Sequence, residues 1–119
     1  MKKILLVEDD SFLSSLLKNR LQKEGFDIVL AKDGDEAVNY LINIKPDLLL
    51  LDLILPKKTG FEVMEELRSN PQLQGNVNLP IIVISNLGQQ EDIAKSRQLG
   101  AIEYYIKAKV SIDELVEKI

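Results

Sequence analysis

The chain has 119 residues, of which 45% are hydrophobic and 29% charged, a balance typical of one globular domain and unlike that of a disordered chain. It contains neither cysteine nor histidine, which excludes disulfides, Cys/His zinc sites, thiol nucleophiles and histidine chemistry. Because 15 basic residues face 19 acidic ones and the net charge is −4, we expect no direct binding of nucleic acid by this chain.

The apolar run at residues 4–7 is too short for a signal peptide or a membrane span, because Glu8 ends it. We therefore expect a soluble, cytoplasmic protein that makes no contact with a membrane.

Five short apolar runs divide the chain. Their residues are apolar consecutively rather than alternately, which is typical of parallel strands covered on both faces. The runs are Ile4–Val7, Ile28–Ala31, Leu48–Leu51, Ile81–Ile84 and Ile102–Ile106.

Stretches with helical spacing follow each run, and Gly25 and Gly100 predict helix ends. Ser111 and Glu114 predict a capping box at the last helix. The residues predicted to face the core are Leu13, Leu16, Leu17, Leu21, Ala37, Val38, Leu41, Ile42, Phe61, Val63, Met64, Leu67, Ile93, Ala94, Leu115, Val116 and Ile119. The turn-rich segment 69–78 is interpreted as a surface insertion.

Five successive βα units predict a single α/β domain over residues 1–119. The expected architecture is a three-layer, doubly wound parallel sheet of the (βα)5, flavodoxin-like class with strand order 2-1-3-4-5. In such a sheet, ligands bind beyond the carboxyl ends of the strands, where the strand order reverses.

That position holds acidic residues in this sequence. Glu8 and Asp9 follow the first strand and Asp52 follows the third, so we expect their carboxylates to converge. Crowded carboxylates repel one another unless a cation lies among them, and oxygen ligands favour a hard divalent ion such as Mg²⁺. Asp10 or Ser11 is more simply explained as a helix cap.

Two further strand ends carry polar groups, since Ser85 ends the fourth strand and Lys107 ends the fifth. Alone, each is typical of a surface turn. With the acids they provide a carboxylate nucleophile, a cation site, a hydroxyl donor and a fixed positive charge, which is the set that phosphoryl transfer requires.

The sequence resembles the receiver domains of bacterial two-component response regulators, the chemotaxis-regulator-like family. The resemblance covers essentially the whole chain and rests on four segments in order. They are ILLVEDD at residues 4–10, PDLLLLDLILP at 46–56 with Gly60, LPIIVIS at 79–85 and GAIEYYIK at 100–107.

The resemblance implies a role for each site residue. Asp52 would accept a phosphoryl group from a histidine of a sensor kinase or phosphotransfer protein. Mg²⁺, with Mn²⁺ as a possible substitute, would be held by Glu8, Asp9, Asp52 and the main-chain carbonyl of Ile54. Ser85 and Lys107 would bind phosphoryl oxygens.

The resemblance also implies a switch. Ser85 would draw its loop inward on phosphorylation, and Tyr104, at the family's aromatic switch position, would turn inward. The fourth helix, fifth strand and fifth helix would then bind a downstream protein target. Such a chain catalyses its own phosphorylation and dephosphorylation but is not an enzyme with a separate substrate.

Two departures from the family pattern, and two positions that vary within the family, bear on this interpretation. Ala108 follows Lys107 where the family usually has proline, so we predict either a trans peptide bond there or a strained cis bond held by its surroundings. Asn86 replaces a small residue and is interpreted as a tolerated substitution. Ile54 and Leu87 are both apolar and should hinder attacking water, which predicts a long-lived phosphoaspartate.

Other functions remain open at this point. The departures leave room for a receiver-like interaction module that needs no phosphate, although the intact acid, Ser and Lys set argues against it. A phosphatase of the haloacid dehalogenase type would need an aspartate as general acid at position 54, where this chain has isoleucine. A flavodoxin-like cofactor carrier would need a glycine-rich phosphate loop after the first strand.

Overall fold

The computed structural model describes residues 2–119, which form one parallel sheet with helices on both faces. Its five strands lie in the order β2-β1-β3-β4-β5, so the predicted topology is confirmed. The strands are β1 (Lys3–Val7), β2 (Asp27–Ala31), β3 (Leu48–Leu51), β4 (Ile81–Ser85) and β5 (Ala101–Ile106). The helices are α1 (Ser11–Lys23), α2 (Gly34–Asn43), α3 (Gly60–Ser69), α4 (Gln90–Gln98) and α5 (Ile112–Lys118).

Alternate residues of the strands supply two separate cores. In β1, Leu5 and Val7 pack against α2 and α3, whereas Ile4 and Leu6 pack against α1 and α5. Burial of both faces of every central strand explains why the strands are continuously apolar. None of the helices between residues 2 and 119 has the length and apolar character needed to cross a membrane.

The ends of the helices follow the local sequence. The Asp10 carboxylate accepts hydrogen bonds from the first turn of α1, and Ser111 and Glu114 form the predicted capping box of α5. Gly25 and Gly100 have positive φ values of 96° and 109°, the left-handed conformation that suits glycine after a helix.

The predicted helix faces are partly wrong. Leu16, Ile42 and Ala94 are exposed rather than turned to the core. In two helices a serine is buried instead, Ser14 in α1 and Ser96 in α4. Each serine hydroxyl donates to a carbonyl of its own helix, so burial leaves no polar atom unpaired.

Most of segment 69–78 is exposed, in line with the predicted surface segment, but two of its residues enter the core. Residues Pro71–Asn76 form a 3₁₀ helix whose Leu73 and Asn76 side chains are buried. The Asn76 amide donates to the carbonyls of Leu41 and Ile44, at 2.8 and 2.9 Å, where α2 ends. The segment therefore caps the end of a neighbouring helix and adds to the core.

Candidate functional site

The acidic residues lie where β1 and β3 end side by side. The register pairs Val7 with Leu51, so the residues that follow each strand are neighbours. The pairing continues one step beyond the strands, because the Asp52 N–H donates to the Val7 carbonyl at 3.1 Å. The backbone of the two central strands thus places the carboxylates at the reversal point of the strand order.

Three carboxylates form a cluster at this position. Oxygen atoms of Glu8, Asp9 and Asp52 all lie within 4.8 Å of one another. Glu8 and Asp52 are almost completely buried, with 2% and 4% of their surface exposed, whereas Asp9 is open to solvent. An all-oxygen cluster with one open side suits a hard divalent cation such as Mg²⁺ or Mn²⁺ that retains several waters.

Lys107 lies between the two buried acids. Its ammonium group is 2.7 Å from Glu8 Oε1 and 2.8 Å from Asp52 Oδ2, and 18% of its side chain is exposed. Lys107 begins a short 3₁₀ helix, Lys107–Lys109, and the Lys107–Ala108 peptide is trans, the first of the two predicted alternatives. The absence of proline therefore does not prevent the lysine from reaching Asp52.

The pKa values reflect one ammonium shared by two buried carboxylates. Burial alone would lower the pKa of Lys107, but hydrogen bonds to Asp52 and Glu8 raise it above the usual lysine value. Burial raises the pKa of Glu8, and hydrogen bonds from Lys107 and the Asp10 N–H only partly oppose this shift. Three carboxylates and one ammonium leave a formal charge of −2, which a divalent cation would neutralise.

Ser85 and Tyr104 flank the cluster on its β4–β5 side. Ser85 is completely buried, and its Oγ accepts a hydrogen bond from the Leu87 N–H at 3.3 Å. Tyr104 is half-buried, and its hydroxyl donates to the Leu87 carbonyl. The main chain of Leu87 thus links the two residues, a contact that the sequence interpretation misses because it assigns Leu87 only a side-chain role.

Ile54 lies on the opposite side, in the loop after β3. Its N–H donates to Asp52 Oδ1 at 3.2 Å, so the main-chain nitrogen of residue 54 is close to the cluster, and the residue is 55% exposed. Leu87 is half-buried and Asn86 is exposed. The two apolar side chains are thus partly open to solvent beside a polar site.

The Glu8–Lys107 ion pair goes beyond the sequence interpretation, which assigns Glu8 to the metal and Lys107 to Asp52 alone. No local signal predicts the pair, because its partners are far apart in sequence and meet through the order of the strands. The structure therefore shows that the lysine ammonium pairs with two acids of the predicted site, not with one.

A sequence model of the response regulator receiver domain matches residues 4–119 of this chain. The chain belongs to this family. It is therefore a receiver domain of two-component signalling. Over 107 residues it is 42% identical to the transcriptional regulatory protein CpxR of Klebsiella pneumoniae. That match covers 90% of the chain but 43% of CpxR, so the chain spans less than half the length of this relative.

Solved receiver structures share the fold. The Mn²⁺-bound form of the response regulator Rcp1 is 32% identical, with a TM-score of 0.86 over 100% of this chain and 91% of that one. The phosphorylated cyanobacterial phytochrome response regulator RcpA is 35% identical, with a TM-score of 0.82 over 98% of this chain and 87% of that one.

Proposed function

We propose that this receiver domain accepts a phosphoryl group on Asp52 and thereby switches its affinity for a partner protein. The observation that carries the proposal is the setting of Asp52, a buried carboxylate whose oxygen lies within 4.8 Å of oxygens of two other acids and 2.8 Å from a lysine ammonium. Such a setting provides both a nucleophile and the positive charge that phosphoryl transfer demands.

The donor, as family membership suggests, is a phosphohistidine of another protein, a sensor histidine kinase or a phosphotransfer protein, and the lack of histidine in this chain is consistent with that division of roles. A carboxylate oxygen of Asp52 forms a bond to phosphorus while the bond from phosphorus to the imidazole nitrogen breaks. The electron pair of the broken bond remains on that nitrogen, and the product on Asp52 is an acyl phosphate.

Glu8, Asp9, Asp52 and the main-chain carbonyl of Ile54 are the residues that would hold Mg²⁺ or Mn²⁺. The carboxylate oxygens within 4.8 Å of one another and the net negative charge fit such a cation. When bound, the cation supplies neutralising charge for the incoming phosphoryl group. The Mn²⁺-bound form of the related Rcp1 supports this assignment.

Ser85 and Lys107 bind the phosphoryl oxygens of the product, Ser85 by its hydroxyl and Lys107 by its ammonium. For this, the Lys107 ammonium exchanges an Asp52 oxygen for a phosphoryl oxygen. Movement of the Ser85 loop displaces Leu87, whose carbonyl holds the Tyr104 hydroxyl. Tyr104 then turns inward, and the surface of α4, β5 and α5 binds a downstream protein target.

The same proposal places the chain in the cytoplasm, with protein partners only and with no substrate other than its own Asp52. The acidic net charge of −4 supports the expectation that this chain does not bind nucleic acid directly.

Intact mass spectrometry tests the proposal. The protein is incubated with Mg²⁺ and acetyl phosphate, and we expect the mass of one phosphoryl group to be added. Asp52→Asn should add none. Asp47→Asn, a matched change just before β3 where the Asp47 carboxylate accepts the Lys3 N–H at 2.8 Å, should be labelled like the parent.

Two results would contradict the proposal: no phosphoryl group on the parent, or equal labelling of the Asp52→Asn variant. The first result would favour the receiver-like module that needs no phosphate. Binding of beryllofluoride would then show whether the site is formed but unreactive.

A further inference from the structure

The loop that carries Ile54 is packed against the start of α2, and this contact lies outside the residues that the proposed chemistry uses. The Gly34 N–H faces the Pro56 carbonyl at 3.4 Å. A Cβ atom on Gly34 would lie 2.7 Å from the Lys58 carbonyl carbon, and closer still to the Lys58 oxygen and Cβ. An alanine at this position therefore cannot be accommodated unless Lys58 moves.

The requirement for glycine at position 34 is purely steric. Positive φ values occur at Gly25 and Gly100 but not at Gly34, so the backbone conformation of residue 34 is open to any amino acid. What excludes a larger residue is the main chain of Lys58, which cannot rotate away as the end of a flexible side chain can.

One further contact joins the same loop to the start of α2. Lys57 has a φ of 68°, an uncommon conformation for a residue with a side chain, and its ammonium is 3.7 Å from Asp33 Oδ2. Asp33 is itself buried and caps α2 through the Glu36 N–H at 2.8 Å, so it is a fixed point for Lys57.

At its other end the loop is held beneath Asp52. The Gly60 N–H donates to the Leu53 carbonyl at 3.0 Å, and a Cβ atom on Gly60 would lie 2.7 Å from the Leu53 Cα. Residues 53–59 are therefore held between two close backbone contacts, one under Asp52 and one against α2. Only residues 55–57 separate Ile54 from Lys58, so we expect a displacement of Lys58 to reach Ile54.

We propose that Gly34 is a positioning residue for cation binding, because its lack of a side chain lets the Pro56–Lys58 backbone lie where the Ile54 peptide stays beside the acidic cluster. This inference rests on the proposed function, in which the Ile54 carbonyl is one of the cation ligands. Gly34 touches neither the cation nor the phosphoryl group and acts through the loop alone.

The test measures Mg²⁺ affinity directly, by calorimetric titration of the whole chain, rather than phosphorylation. Gly34→Ala should weaken Mg²⁺ binding by about tenfold, the scale seen when a residue that supports metal ligands is lost. Gly75→Ala is the matched control, because its Cβ would lie 2.8 Å from the end of the flexible Lys45 side chain. That variant should bind Mg²⁺ like the parent.

Loss of stability alone must be separated from loss of position. Leu73→Ala empties a fully buried site in a different element, and it should lower the melting temperature without changing the dissociation constant of Mg²⁺. Should Gly34→Ala not fold, Pro56→Gly takes its place, because it loosens the loop from its exposed side. It should also weaken Mg²⁺ binding.

The inference is overturned if Gly34→Ala, or Pro56→Gly in its place, binds Mg²⁺ as tightly as the parent. It is also overturned if Leu73→Ala weakens binding to the same degree, because the effect would then follow stability. Failure of the proposed function gives a different result: the parent itself would bind no Mg²⁺ or would not be phosphorylated on Asp52.

Discussion

Lys107 should stabilise the metal-free fold, because it is the positive charge between two buried acids. Lys107→Met keeps most of the apolar side chain but removes the ammonium that lies 2.7 Å from Glu8 and 2.8 Å from Asp52. The two carboxylates, which are 3% and 5% exposed, then face each other without a counter-charge.

The expected loss is large. Removal of one partner from a buried ion pair costs about 3–5 kcal/mol, chiefly because a buried charge is left uncompensated. Because the Lys107 side chain is partly exposed, we expect the lower end, about 3 kcal/mol in the free energy of unfolding. For a domain of this size, that corresponds to a melting temperature lower by about 10 °C.

Mg²⁺ should recover most of that loss, because it supplies the missing positive charge in the same cluster. At about 100 times its dissociation constant for the variant, Mg²⁺ contributes about 2.7 kcal/mol, and at the same concentration it should contribute less to the parent, whose ammonium repels the cation. The assay is urea unfolding followed by circular dichroism, once with a chelator and once with Mg²⁺ in excess.

Arg20→Met is the matched control, since Arg20 of α1 pairs with Asp113 of α5 on the surface, where both side chains are exposed to solvent. It should cause a smaller loss that Mg²⁺ does not reverse. Our reasoning would be refuted if Lys107→Met were as stable as the parent in the presence of the chelator. It would also fail if Mg²⁺ stabilised the parent and Lys107→Met by the same amount.

Three further variants test other parts of the molecule. Because the pKa of Glu8 is raised, Glu8→Gln should stabilise the metal-free protein at about pH 7 and weaken Mg²⁺ binding. The gain in stability should disappear as the pH falls toward 4.5, the ordinary pKa of a glutamate, and a gain that persists in acid would contradict this prediction. Asn76→Ala should lower the free energy of unfolding, measured by chemical denaturation, by about 1–3 kcal/mol, and Asn76→Asp should lower it more, because a carboxylate cannot donate to two carbonyls. Equal stability of the parent and both variants would refute this role of the Asn76 amide. Ile54→Gln combined with Leu87→Gln should shorten the lifetime of the phosphoaspartate severalfold, measured by loss of the added mass, and an unchanged lifetime would exclude shielding from water.

The strands and their order can be predicted because the central sheet is buried on both faces. Every strand residue of β1, β3 and β4 that faces either core must be apolar, and the resulting runs stand out in the sequence. The polar residues that end or follow those runs, among them Asp52 and Ser85, can therefore be located from the sequence alone.

The helix faces are harder to predict, because a prediction from the spacing of apolar residues places every serine on the surface. Ser14 and Ser96 are buried since each hydroxyl donates to a carbonyl three residues earlier, at 3.2 and 2.8 Å. A serine side chain is small, and once its hydroxyl donates to a carbonyl of its own helix it can be buried. Serine therefore occupies the buried face in these two helices, and Leu16 and Ala94 are exposed to solvent.

The burial of two residues in segment 69–78 could not be predicted for a related reason. Its glycine, proline and asparagine content is typical of a loop, and nothing in the local pattern shows that Asn76 reaches the end of α2. Likewise, the glycine requirement at position 34 depends on the Lys58 backbone, which is distant in sequence. Contacts of this kind arise from the assembled fold and have no local signature.

The two sides of the acidic cluster differ in how firmly they are held, and this difference suits a switch. On the β3 side, the loop after Asp52 is fixed by Gly34 and Gly60, which favours a constant cation site. On the β4–β5 side, α4 buries only Ser96 among its residues 90–98, and Gln89 gives it no side-chain cap.

A weakly held helix responds to small free energies. One or two new hydrogen bonds to charged groups, each worth about 1.5–3 kcal/mol, change a two-state equilibrium by tenfold or more. Phosphorylation of Asp52 would offer such bonds to Ser85, at the end of β4, and to Lys107, which follows β5. We therefore expect the structural response to move through Leu87 and Tyr104 toward α4, while α2 and the loop after β3 remain in place.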